Sequence, residues 1–135
     1  MPLTRRKERE IAFQMLFAAQ FSPEEDTAKL YETLIEEQES EEAKTSEYIK
    51  TVFCGARDYA PEATKKIEEN AKGWKIGRLS KATLAVLLLA IFEMDQMDSV
   101  PEKIAINEAV ELAKSFCEDG AKKFVNGILG AVAGK

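Results

Sequence analysis

The chain has 135 residues and a formal net charge of −5, with 45% hydrophobic and 32% charged residues. This length and balance predict one folded domain, residues 1–135, rather than a disordered chain or a protein coated in basic surface. Histidine is absent, which excludes Ser/His and Cys/His catalytic pairs and the usual zinc ligand sets. We therefore expect no catalytic residues, no cofactor and no metal, with carboxylate-only catalysis as the remaining enzymatic alternative.

Helical periodicity runs through the first half of the chain. The first helix is predicted from about Thr4 to Gln20, and a second starts at the capping box of Ser22, Pro23 and Glu25. A third is predicted from about Ser46 to Tyr59, and Pro61 begins a fourth. The apolar positions expected to face the core in the first and third helices are Ile11, Ala12, Met15, Leu16, Ala19, Ile49, Val52, Phe53 and Ala56.

The second half begins with a connection, residues 73–80, which contains two glycines. Ser80 is expected to cap a central helix that is apolar on all sides from Leu84 to Phe92, with Leu87 and Phe92 among its buried residues. The run is far shorter than the ~20 residues that cross a bilayer, and no apolar segment follows the N-terminal cations. We therefore expect a cytoplasmic protein without membrane contact.

Two more helices complete a predicted all-α, compact bundle of about seven helices. The first of them contains the run IAINEAVELAKSF, and the second contains KKFVNGILGAVAG. Gly127 and Gly130 are expected to allow close helix packing in the last helix. The residues expected to be buried in the first are Ile106, Ala109, Val110, Ala113 and Phe116.

The stretch TRRKERE places Arg5, Arg6 and Arg9 in the first turns of a helix, where cations are normally disfavoured. Helical spacing brings the three arginines into one sector, with Phe13 and Phe17 further along it. Guanidinium groups and aromatic faces in this order suit the phosphates and bases of single-stranded RNA. The alternatives are a solvated helix end and core positions for the two phenylalanines.

Three segments resemble the bacterial transcription antitermination factor NusB family over nearly the full chain. The first is RRKEREIAFQMLF, with Ala12, Gln14, Leu16 and Phe17 in the family pattern. The second is Trp74 followed by Arg-Leu-Ser and the central helix. The third combines PEKIAINEAVELAKSF with KFVNGILG. Together they identify a NusB-like, RNA-binding helical domain.

The resemblance implies a fold of two packed helical subbundles and a non-enzymatic role. Family members pair with a ribosomal protein, called NusE when it acts in transcription, and bind boxA RNA. The complex supports read-through by RNA polymerase, especially in ribosomal RNA operons. The family contains both monomers and dimers, so a homodimer stays open.

The site residues follow from the same resemblance. Arg5, Arg6 and Arg9 match the Arg-rich RNA-binding opening, and Phe17 takes the place of a common tyrosine with its stacking face kept. The FVNG region adds three expected RNA-binding residues, which are Lys123, Phe124 and Asn126.

Thr83 marks the expected partner-binding position, because family acids near it often hold the ribosomal protein. Here Thr83, Leu84 and Leu88 are uncharged where many relatives carry an acid and two arginines. The electrostatics of the NusE contact are therefore expected to differ in this chain.

Two other functions compete with antitermination. The helical RNA-binding module of a ribosomal-RNA cytosine methyltransferase shares the fold, but its enzyme needs a long catalytic domain, for which we expect no room in 135 residues. The second is a structural module that binds another protein without RNA. Salt-dependent binding to a short boxA-like RNA distinguishes this module from an antitermination factor.

Overall fold

Eight α-helices and one 3-10 turn make up the computed structural model, which describes residues 3–71 and 76–134. No strand occurs within those ranges, so the predicted all-α class is confirmed, with one helix more than the seven expected. The predicted marker Trp74 lies outside the described residues. The elements are α1 Arg5–Ala19, α2 Thr27–Glu36, α3 Glu41–Lys44, α4 Glu47–Asp58, α5 Ala60–Asn70, the 3-10 turn Ile76–Arg78, α6 Lys81–Gln96, α7 Glu102–Phe116 and α8 Ala121–Ala133.

The helices pack as two groups that share α6. In the first group, α1 packs against α4 and α6, and α2 packs against α4. In the second, α7 packs against α6 and α8, and α5 packs against the same two helices. A continuous cluster of buried apolar side chains includes members from every α-helix named above. The predicted arrangement of two packed subbundles therefore has one common core.

The central position of α6 follows from its sequence. Every residue from Ala85 to Glu93 is buried, including Leu87 and Phe92 as predicted. The ring of Phe92 lies against Gly55 of α4, where an added Cβ would come within 2.2 Å of the Phe92 Cζ. No helix in the described part of the chain is long and apolar enough to cross a membrane.

Helix α1 begins where the sequence predicts because Thr4 caps it. The Thr4 hydroxyl accepts a hydrogen bond of 3.0 Å from the Lys7 backbone N–H, which satisfies one of the free donors of the first turn. Ser46 caps α4 in the same way through Ile49. All the core positions predicted for these two helices are buried.

The predicted start of α2 is wrong. Ser22 does not cap a helix; its carbonyl instead accepts a hydrogen bond of 3.1 Å from Glu25 N–H in a turn. The helix begins one turn later, because the Asp26 carboxylate caps it by accepting from Lys29 N–H at 3.1 Å. The sequence pattern also missed α3, which has only four residues.

Two expectations for the last helices are also corrected. Ala109 and Ala113 are buried, but Phe116 is 40% exposed. Gly127 and Gly130 are exposed, and a Cβ at either would meet no atom of the described residues within 4 Å. They therefore face open space on α8 and permit no close helix packing. Gly120, with φ of 89°, makes the left-handed turn between α7 and α8.

Candidate nucleic-acid interface

Arg5 and Arg6 form the exposed surface at the start of α1. The Arg5 guanidinium lies 4.2 Å from the centroid of the Tyr48 ring, a cation–π contact, and its Nε lies 3.4 Å from Glu8. Arg6 donates from Nε and Nη2 to the two carboxylate oxygens of Glu108, at 3.1 and 2.8 Å. Both arginines are therefore accessible and also held by neighbouring side chains.

Arg9 takes a different place from the one the sequence predicts. Its side chain is buried, and it donates to the Glu93 carboxylate of α6 at 2.8 Å from Nη2 and 3.1 Å from Nε. The Tyr48 hydroxyl donates to the same carboxylate at 2.8 Å. Arg9 lies on the same side of α1 as Arg5, as helical spacing requires, but one turn further along, where α4 and α6 cover the helix and bury the side chain.

Burial and charge oppose each other in this core network. Burial lowers the pKa of Arg9, but the hydrogen bonds and charge of Glu93 outweigh it, so the pKa lies above its ordinary value. Burial, and then the Glu93 charge, raise the pKa of Tyr48. Arg9 therefore stays charged and Tyr48 neutral, and both donate to one buried carboxylate.

An open groove of ≈ 650 Å³ lies beside Arg6, between α7 and α8. We call it the α7–α8 groove. Its charged lining consists of Arg6, Glu108, Glu111, Lys114, Lys122 and Lys123.

The amides of Asn107 and Asn126 also line the groove. Cations for phosphates therefore stand beside amide and carboxylate groups that can hydrogen-bond to base edges.

Of the predicted FVNG residues, Lys123 and Asn126 are exposed in this groove, on the side opposite α7. Phe124 is half-buried and packs against the hydrophobic core. The structure thus brings Arg6, Lys123 and Asn126 to one surface. Lys122, adjacent in sequence to Lys123, and Lys114, on the opposite wall, are groove cations that the sequence analysis missed.

A second surface, which we call the aromatic patch, consists of Phe17, Phe21 and Phe116. Their exposed fractions are 37%, 64% and 40%. The Phe17 and Phe21 rings lie 5.6 Å apart, and Phe116 lies 5.2 Å from the buried Phe13 ring. A cavity of ≈ 150 Å³ opens between Phe17, Phe116 and Ala82. Phe13 therefore belongs to the core, whereas Phe17 does not.

Acidic side chains separate the aromatic patch from the basic end. A narrow crevice of ≈ 90 Å³ runs along α1 and α7 from Arg6 to Phe116. The carboxylates that line it belong to Glu10, Glu108 and Glu111. An RNA backbone that continued from Arg6 to Phe17 along this path would meet repulsion from these charges.

Thr83, the predicted partner-binding residue, is buried at the first turn of α6. Its hydroxyl lies 3.2 and 3.3 Å from the Glu118 carboxylate oxygens, and Ser80 Oγ donates to Glu118 at 2.9 Å. The pKa of Glu118 is lowered by a hydrogen bond from its own backbone N–H and by those from the two hydroxyls. An acidic group from the α7–α8 turn therefore stands next to the uncharged Thr83.

The two other departures from the family pattern fit the packing. Leu88 is buried, and Leu84 is half-buried against the core. Apolar side chains at these places contribute to the packing of α6 within the bundle.

Comparison with known proteins agrees with this arrangement. Residues 6–134 match the NusB family. The transcription antitermination protein NusB of Lactiplantibacillus plantarum is 39% identical over 133 residues, which are 98% of this chain and 96% of that protein. The protein of the same name from Ligilactobacillus salivarius is 42% identical over 130 residues, 96% of this chain and 97% of that one.

Solved structures match the fold as well. NusB from T. maritima superposes with a TM-score of 0.86 at 30% identity, covering 100% of this chain and 94% of that chain. NusB in a crystal structure of the antitermination factors NusB and NusE with dsRNA matches with a TM-score of 0.78 at 27% identity, covering 95% and 94%. The resemblance found in the sequence is confirmed, and this chain belongs to the NusB family.

Proposed function

We propose that this chain is a transcription antitermination factor that binds boxA-type single-stranded RNA together with the ribosomal protein NusE. The complex supports read-through by RNA polymerase, especially in ribosomal RNA operons. Support comes from the names of the relatives, which are transcription antitermination proteins. A NusB of the same fold also crystallises with NusE and RNA. The role is cytoplasmic and non-catalytic, and it needs no cofactor.

The observation that carries the RNA part is the α7–α8 groove. In an acidic protein, cations from α1, α7 and α8 meet there: Arg6, Lys114, Lys122 and Lys123. Such a local patch is what phosphate binding requires, because the net charge of −5 gives no general attraction for a polyanion. We assign phosphate contacts to these four residues and to Arg5, and base contacts to Asn126 and Phe124.

Arg9 has another role in this proposal. Its Nε and Nη2 donate to Glu93, and its side chain does not line the groove, so it supports the surface by holding α1 against α6. Arg5 and Arg6 then project from a helix end that is fixed at its second turn.

The aromatic patch is the surface we assign to NusE. Phe17 is exposed beside Phe21 and Phe116, and the acidic crevice lies between it and the groove. Aromatic side chains are enriched in the centres of protein interfaces, and a patch away from the RNA lets both partners bind together. In this assignment Phe17 contacts NusE rather than an RNA base. Thr83 is buried and acts on the NusE contact indirectly, by holding the Glu118 carboxylate through its hydroxyl.

A protein-interaction module without RNA binding is the second candidate, and the aromatic patch alone would serve it. The antitermination factor uses the α7–α8 groove to bind RNA, whereas the protein-interaction module does not use the groove. A homodimer through the same patch would compete with NusE, and sedimentation of the free protein and the NusE mixture tests it.

The decisive experiment measures affinity for a short boxA RNA, with and without NusE, over a series of salt concentrations. NusE should tighten RNA binding for two reasons. It adds phosphate contacts of its own, and when it is bound to this chain both proteins hold the same RNA molecule. Lys123→Gln should weaken binding, whereas Lys29→Gln on the distant α2 should not, although it removes the same charge. Equal RNA affinities for these two variants and the wild type would reject the RNA-binding part.

A further inference from the structure

Each exposed cation at the start of α1 faces an acidic side chain of the same protein. Arg5 pairs with Glu8 and Lys7 with Glu10 along α1 itself. Such i,i+3 pairs between exposed side chains are weak and open readily. Arg6 differs, because its carboxylate partner, Glu108, comes from α7 and binds it through two hydrogen bonds, at 2.8 and 3.1 Å.

The two members of this pair have unequal freedom. The Arg6 side chain is 68% exposed, whereas the Glu108 side chain is only 16% exposed and sits at the edge of the α7–α8 groove. Glu108 also lies 3.6 Å from Nη1 of the buried Arg9. The carboxylate is therefore fixed, while the guanidinium can swing away from it into solvent.

Glu108 remains ionised at neutral pH. The hydrogen bond from Arg6 lowers the pKa of its carboxyl group and outweighs the burial that raises it. A full negative charge thus stands where the Arg6 guanidinium would meet an RNA phosphate.

On the basis of the RNA-binding function proposed above, we propose that Glu108 is a built-in competitor that an RNA phosphate must displace from Arg6. Carboxylate and phosphate both present paired oxygens to the planar guanidinium, so they compete for the same donors. When the phosphate takes Arg6, Glu108 is left with its remaining contact to Arg9. Arg6 therefore adds less to RNA affinity than an unpaired arginine would.

The competition between Glu108 and phosphate provides selectivity against polyanions that make few contacts with the protein. A nucleic acid that makes only the Arg6 contact gains little, because it exchanges one anion for another. An RNA that also fills the α7–α8 groove gains contacts with Lys114, Lys122 and Lys123, which lie outside the Arg6–Glu108 pair. Repulsive elements of this kind let a site discriminate between ligands.

The opposite role for Glu108 is to position Arg6. The pair uses Nε and Nη2, so the Nη1 donors of Arg6 are not engaged by Glu108 and could still bind a phosphate. In that case, removal of the carboxylate would release the side chain and weaken RNA binding. The two roles predict opposite signs for the same variant.

The test measures binding of the full chain to a fluorescent single-stranded boxA RNA, at fixed NusE and a series of salt concentrations. Glu108→Gln should raise the affinity roughly two- to fivefold at low salt, the range expected for one exposed charge pair. The slope of log affinity against log salt should steepen by up to ~0.7, because Arg6 then neutralises a phosphate without losing an internal anion.

Glu10→Gln is the control, since it makes the same charge change in α1, where Glu10 pairs at 2.9 Å with Lys7, a lysine to which no RNA contact is assigned. Its effect should be smaller and should persist when Arg6 is replaced. In an Arg6→Gln background, by contrast, Glu108→Gln should lose most of its effect. Glu108→Ala repeats the test, and circular dichroism confirms that each variant is folded.

The outcomes separate this inference from the function on which it rests. If the wild type binds RNA and Arg6→Gln weakens binding, but Glu108→Gln leaves affinity unchanged or lowers it, the competitor role is rejected and RNA binding stands. If Arg6→Gln has no effect, Arg6 is not a phosphate contact and the competitor role is also rejected. If no variant and no wild type binds RNA, both proposals fail.

Discussion

The Arg9 guanidinium lies 2.8 Å from the Glu93 carboxylate, and this buried pair joins α1 to α6. It explains an arginine near the start of a helix, where the helix dipole disfavours a cation by only ~0.3–1 kcal/mol. Glu93 is fully buried and needs compensation of several kcal/mol, which Arg9 and the Tyr48 hydroxyl supply through their hydrogen bonds. The cation therefore serves the core at this position.

Arg9→Gln should lower the free energy of unfolding by about 3–5 kcal/mol, because it leaves the Glu93 carboxylate buried without its charge partner. Urea denaturation measures the change. Arg5→Gln, on the exposed side of the same helix, should cost less than about 1 kcal/mol. The double variant Arg9→Met/Glu93→Leu should be more stable than Arg9→Gln alone, and a less stable double variant would contradict this account.

Two glycines give a second test, because alanine should destabilise the fold at Gly55 and stabilise it at Gly127. Gly55→Ala should cost about 1–3 kcal/mol, because its Cβ would lie 2.2 Å from Cζ of the packed Phe92 ring. Gly127→Ala faces open space in a helix and should stabilise the protein by about 0.5–1 kcal/mol. Thermal unfolding of the two variants side by side provides the comparison, and destabilisation by Gly127→Ala would show that α8 is packed on that face.

Restoring an acid at Thr83 should destabilise the fold. Thr83 is buried, and its hydroxyl already lies 3.2 Å from the Glu118 carboxylate, so Thr83→Glu would place two like charges together. We expect a loss of at least about 2 kcal/mol in unfolding free energy. Thr83→Val removes only the hydrogen bonds and should cost about 0.5–1.5 kcal/mol. A Thr83→Glu protein as stable as the wild type would refute this placement of Glu118.

Aromatic-patch variants should separate protein binding from RNA binding. Phe17→Ser combined with Phe116→Ser removes exposed rings and should weaken NusE affinity by about 2 kcal/mol or more, as interface aromatics do. RNA affinity without NusE should change little. Titration calorimetry with NusE and fluorescence anisotropy with RNA measure the two effects. Loss of RNA affinity in the absence of NusE would instead restore the stacking role for Phe17.

Acid should unfold the protein partly through Glu108. Its pKa is lowered in the folded state, so its contribution to stability is present above the ordinary carboxyl pKa of about 4.5 and is lost as the pH falls through the folded value. Unfolding free energies measured from neutral to acidic pH should therefore fall less steeply for Glu108→Gln than for the wild type. Parallel curves would mean that the Arg6 pair does not form in solution.

Local signals in the sequence were sufficient for much of the fold. The limits of α1 and α4 follow from the caps Thr4 and Ser46, each within one turn of the groups it satisfies. The capping box at Ser22 was misleading, because Asp26 offers a competing cap four residues later. The exposure of Phe116 depends on packing between helices, which spacing along one helix does not describe.

The candidate site was predictable only in part, for the same reason. The cations Arg6 and Lys123 are visible in the sequence, and they do line one groove. The partner of Arg9 is 84 residues away, so no local pattern distinguishes this arginine from its exposed neighbours. The closeness of Glu118 to Thr83 likewise depends on how the α7–α8 turn packs against α6.

The Arg9–Glu93–Tyr48 network also has a kinetic consequence. Helix ends commonly fray, and their amide hydrogens then exchange with solvent through local opening. Here the second turn of α1 can unfold only if the Glu93 carboxylate of α6 stays buried without its partner Arg9. The Tyr48 hydroxyl of α4 donates to the same carboxylate. Amides of α1 from Arg9 onward should therefore exchange at nearly the slow rate of α6, as one cooperative unit. The first turn of α1, which carries the exposed Arg5 and Arg6, is thereby attached to a segment that opens only together with the core.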